Sequence, residues 1–121
     1  LNFDSLPDLF HSLCLEPRER AAADYLRGMG ASGLGVEAAA RTAAVLSTGA
    51  EGAIPLKEGY AAAMAAQNTS YACVEKNIRS MVGKLQAGAC GEYQALMGGL
   101  PAERPSNELF LRRLARRILE W

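Results

Sequence analysis

Long apolar runs are missing from this chain of 121 residues. Its uninterrupted apolar stretches are short, so no transmembrane helix is expected. The opening residues lack the basic region, apolar segment and cleavage site of a secretory leader, so none is expected either. Cysteine is scarce: Cys14, Cys73 and Cys90 are odd in number and far apart. That argues against a disulfide framework and fits a reducing, cytoplasmic setting. Histidine occurs once, as His11, which leaves histidine-based acid–base chemistry a single candidate. β-branched residues are few and scattered, and no alternating apolar–polar run reaches strand length, so a sheet is not expected.

What is present is half apolar, with charged residues at 21%. That is a globular composition, and a chain of this size can bury roughly two-thirds of its unfolded surface. Net charge is zero, but the charge is unevenly spread. Residues 1–56 carry four basic and seven acidic side chains, and residues 57–121 carry nine and six. An anionic partner would dock on the second half.

Alanine, the best helix former, comes in runs at residues 21–23, 38–40 and 61–63. Glycine and proline punctuate the helices. The spacing predicts helices over residues 5–15, 17–29, 36–46, 54–66, 71–85, 90–97 and 107 to the end. Pro17 opens the second, and Ser106 caps the last. The chain reads as one all-α domain of six or seven helices. Residues 1–16 form a helical extension or linker, and residues 17–121 form the main body.

Several sequence patterns that suggest chemistry fail on inspection. Residues 28–33 read GMGASG, a literal G-x-G-x-x-G. A dinucleotide site needs a strand before it; here RERAAADYL precedes it, which is a helical pattern, so a helix–helix turn is favoured. His11 and Cys14 lack the further ligands a metal site needs. Asp4, Asp8 and Asp24 do not cluster by pattern. No nucleophile elbow, phosphate loop or zinc-protease motif occurs. No catalytic residue, cofactor or metal is assigned, and an enzyme is not expected.

Residues 56–85 carry a stronger pattern. A helix with Leu56, Tyr60, Ala63 and Met64 on one face leads into a polar turn. The next helix, capped by Thr69 or Ser70, has Val74, Ile78, Met81 and Leu85 in one stripe, flanked by Tyr71 and Val82. Its opposite face presents Ala72, Lys76, Arg79, Ser80 and Gly83, with Cys73 and Glu75 on the margins. A recognition helix needs this arrangement: one stripe on the core, and a slim, cationic face free to enter the major groove. Arginine can pair bidentately with guanine, and lysine can contact guanine or phosphate. The same residues also suit a helical hairpin with a solvated outer face. In the last helix Phe110, Leu111, Leu114, Ile118 and Trp121 are expected inside, with Arg112, Arg113, Arg116 and Arg117 outside. That outer face suits solubility, phosphate contact or a protein partner.

The order of these motifs resembles a known family. Asn68-Thr69-Ser70 is followed by Val74-Glu75-Lys76-Asn77-Ile78-Arg79. Residues 88–98 close on Leu96-Met97-Gly98, and Arg104-Pro105-Ser106-Asn107 precedes Phe110, Leu111, Leu114 and Ala115. Leu34 and Arg41 look like the family's second helix. The string is similar to the C-terminal effector domain of the stage-zero sporulation master response regulator, over roughly residues 17–118. The resemblance implies a six-helix transcription factor that binds double-stranded DNA through a helix-turn-helix. It implies tandem copies, at most weakly paired, on boxes like TGTCGAA, and a phosphorylated receiver ahead of the effector domain. Carried over by position, Ser70, Ala72, Cys73, Glu75, Lys76, Arg79, Ser80 and Lys84 become the DNA-facing set. Cys73 stands where the family carries arginine, and Ser80 where histidine is usual. The pattern Leu56, Tyr60, Met64 fits the family's helix best with a turn about three residues longer. The alternative is a diverged helical module that serves a protein partner.

Overall fold

The computed structural model describes the backbone of residues 6–121 and the side chains of residues 15–121. Six helices and, among the described residues, no strand follow in the order α1 (Leu6–Gly28), α2 (Leu34–Leu46), α3 (Leu56–Gln67), α4 (Tyr71–Gly88), α5 (Gly91–Met97) and α6 (Asn107–Leu119). None of the described helices is long and apolar enough to cross a membrane. The side chains of His11 and Cys14 lie outside the described residues.

The two helices expected on either side of Pro17 are one. α1 runs through the proline. Proline removes one backbone donor and crowds the carbonyl a turn earlier. Here strong helix formers flank it, with Arg18, Glu19, Arg20 and the alanines 21–23 following, and the helix carries on across the defect. The GMGASG stretch joins α1 to α2 as a turn between helices. Gly30 (φ 96°) and Gly33 (φ 84°) adopt the left-handed backbone that this turn requires.

α2 is the hub. Val36, Ala38, Ala39, Ala40, Thr42, Ala43, Ala44 and Leu46 are all buried along its 13 residues, and α1, α3, α4 and α6 pack around it. Alanine on all sides is what lets four helices come this close. Glycine sets the closest approaches. A Cβ on Gly59 of α3 would sit 2.7 Å from Thr42 Cγ2, and one on Gly35 of α2 would sit 2.5 Å from the Asn77 carbonyl oxygen of α4. Thr42 Oγ1 also donates to the Gly59 carbonyl at 3.3 Å. The hub therefore fixes the placement of both α3 and α4.

The rest of the core is supplied by Leu26, Tyr60, Val74, Ile78, Tyr93, Phe110, Leu111 and Leu114, all essentially inaccessible. Tyr93 and Phe110 stack at 6.4 Å between α5 and α6. Trp121, expected inside, is half exposed. α6 ends at Leu119, two residues before it, and its ring packs edge-to-face with Tyr25, centroids 5.2 Å apart.

Candidate nucleic-acid interface

α3 and α4 are joined by Asn68, Thr69 and Ser70 alone. No glycine serves this turn. Asn68 takes the left-handed conformation instead (φ 50°), which asparagine tolerates better than most residues. Ser70 Oγ then accepts from the backbone N–H of Cys73 at 3.2 Å and caps α4. Such a cap stabilises the helix by about 1 kcal/mol.

The stripe expected to face inward does so: Val74, Ile78, Met81, Val82 and Leu85 are buried. Each is worth about 1.5–3 kcal/mol by removal from water, enough to fix the rotation of α4 about its axis. Tyr71, expected to flank the stripe, is half exposed and touches Tyr60 edge-on at 5.2 Å.

That rotation places the expected contact set. Ser70, Ala72, Cys73, Lys76, Arg79, Ser80 and Lys84 are exposed, and Glu75 is half-buried. Lys76 sits at the middle of the outer face, with Ser80, Cys73 and Lys84 towards one margin and Arg79 and Glu75 towards the other. Arg79 Nη1 donates to Glu75 Oε1 at 2.9 Å within the helix. An exposed pair of this kind contributes only about 0.3–0.5 kcal/mol, so the guanidinium can leave it for a better partner. Lys76 and Lys84 have no carboxylate within ion-pair reach among the described residues. The Cys73 thiol is held below its usual range by hydrogen bonds with Ser70 and Thr69.

Sequence spacing did not reveal what braces this face. Asn107, at the start of α6, is buried. Its Nδ2 donates to the Glu75 carbonyl at 3.1 Å and to Tyr60 Oη at 3.2 Å, so one side chain ties α6, α4 and α3 together. Burial pushes the Tyr60 hydroxyl above its usual range. At the other end of α4, Tyr93 Oη donates to Gln86 Oε1 and Gln86 Nε2 donates to the Pro101 carbonyl, both at 2.6 Å. The Pro-Ser-Asn motif was the one available signal for the first brace. Nothing in the sequence pattern signalled the second.

Beside the Ser80 and Lys84 margin lies a cleft of about 380 Å³ between α4 and the glycine-rich turn, lined by Gly33, Leu34, Asn77, Ser80 and Lys84 among others. Leu34 is largely exposed at its mouth. No family model, curated protein or solved structure matches the chain.

Proposed function

We propose that this domain is a sequence-specific DNA-binding regulator acting in the cytoplasm, resembling the effector domain of the sporulation response regulator, with α4 as the recognition helix in the major groove. The observation that carries the reading is the outer face of α4. It is low in relief, because Ala72, Cys73 and Ser80 are small, and it holds Lys76, Arg79 and Lys84 on an exposed helix anchored from behind. A slim helical face fits the major groove, and arginine and lysine supply contacts to guanine and phosphate. Copies pair at most weakly, on adjacent boxes, so light scattering on the free domain reads a monomer.

Binding to a TGTCGAA-type duplex and to a scrambled one, measured across a salt series, tests this. The reading requires tighter binding to the box and a steep loss of affinity as salt rises, because phosphate contacts release counterions. A flat salt response overturns it. It would leave the second reading, a helical module for a protein partner, which Leu109, Leu119 and Trp121, exposed on and beside α6, favour.

A further inference from the structure

The loop between α5 and α6 runs beside the C-terminal half of α4 and is stiff. Gln86 holds the Pro101 carbonyl at 2.6 Å, and buried Tyr93 holds Gln86 in turn. Pro105 is buried, and a residue that precedes proline is confined to extended backbone. That residue is Arg104. Its position is therefore fixed at both ends, by the Gln86 tether on one side and by Pro105 and the Ser106 cap of α6 on the other.

The Arg104 side chain turns towards α4. Its Cδ lies 3.5 Å from where a Cβ on Gly83 would stand. Gly83 follows Arg79 by four residues and precedes Gln86 by three, so the three share one row along the Arg79 margin of the helix. A side chain longer than alanine at 83 would push the arginine stem aside. With glycine there, the stem packs beside the helix at Gly83. Arg104 is exposed, and among the described residues no carboxylate, its neighbour Glu103 included, comes within ion-pair distance.

We propose that Arg104 is a second, preplaced contact to the DNA backbone: its guanidinium meets a phosphate at the edge of the groove that α4 enters, and Gln86 is the positioning residue that holds its loop in place. This rests on the DNA-binding reading above. An ordered loop loses little conformational freedom on binding, so the charge is delivered at low entropic cost. A phosphate contact fixes register without reading sequence, so Arg104 adds affinity to every duplex alike.

The test is fluorescence anisotropy on the box duplex and the scrambled duplex, each across a salt series, with the wild-type domain, Arg104→Ala and Arg104→Lys. Arg104→Ala is expected to lower the slope of log K against log salt by about one on both duplexes, leaving the ratio between duplexes unchanged. Arg104→Lys, which keeps the charge, stays at the wild-type slope. Gln86→Leu lowers the slope as Arg104→Ala does. A wild-type slope in Arg104→Ala overturns this proposal and leaves the DNA-binding reading standing, and so does a changed box-to-scrambled ratio with the slope intact. A wild-type domain that shows no salt-dependent binding overturns the DNA-binding reading itself and this proposal with it.

Discussion

α4 and α6 are both amphipathic, both capped by a serine, and both cationic outside. They differ in what surrounds the cations. On α4 the neighbours are alanine, cysteine, serine and glycine, and two of its three cations have no acidic partner within the described structure. On α6 the arginines share the surface with Leu109 and Leu119, each about half exposed. Arg112 is engaged by Glu108 at 3.5 Å and by the Ile54 carbonyl at 3.1 Å, and Arg117 by Glu120 at 3.3 Å. Arg113 and Arg116 make no ion pair among the described residues. Positive charge alone therefore does not set the two helices apart; relief and prior engagement of the cations do.

The largest effect on this comparison should come from unseating α4. Gly35→Ala drives a methyl group against the Asn77 carbonyl. It should cost about 1–3 kcal/mol of stability, as overpacking does, and weaken DNA binding, read by denaturant titration and anisotropy. Gly83→Ala on the outer face meets only the Arg104 stem. It should leave stability unchanged or raise it by about 0.5–1 kcal/mol, since glycine is unfavourable inside a helix.

Next come the cations. Arg79→Ala should cost on the order of 1–3 kcal/mol of binding if its guanidinium is bidentate to a base. Arg113→Ala and Arg116→Ala should leave affinity for the box unchanged within error. An equal loss from both helices would erase the difference between α4 and α6.

Cys73→Arg sharpens it. Cysteine is short and a weak donor, so in this reading one guanine of the family box goes unread. That relaxes discrimination at one base pair by roughly 1–3 kcal/mol. The variant should restore a guanine preference at that position and raise affinity, measured on duplexes with each box base changed in turn. Identical base profiles for the two proteins would place Cys73 away from the DNA.

The smallest effect is chemical. Cys73 is exposed and its thiol is held below the usual range, whereas Cys90 is half-buried. A lowered thiol leaves more thiolate at neutral pH, and the thiolate is the nucleophile. Iodoacetamide should label Cys73 before Cys90, and bound duplex should slow the labelling of Cys73 more than that of Cys90. Mass spectrometry of the tryptic peptides reads both.

The helices and their buried faces were legible because period and punctuation are local. Val74, Ile78, Met81 and Leu85 announce α4 by spacing alone, and Ser70 and Ser106 announce two caps. Pro17 was misread because propensity treats a proline as a boundary, whereas strong flanking helix formers carry α1 through it. Trp121 was misread because the apolar period continues past the residue where α6 ends. The outward set of α4 followed from its inward stripe. The braces did not: Asn107 with Tyr60, and Tyr93 with Gln86 and Pro101, join residues far apart in sequence or in loops without period. The role of α2 as hub was also hidden, since alanine has the same signature on a buried helix and on an exposed one.

Amide shift mapping during titration with the box duplex tests whether α4, and not α6, meets the DNA. The largest shifts should fall on Ala72, Cys73, Lys76, Ser80 and Gly83 of α4, while Arg113 and Arg116 of α6 stay still. Shifts concentrated on α6, or spread evenly over both helices, would contradict it.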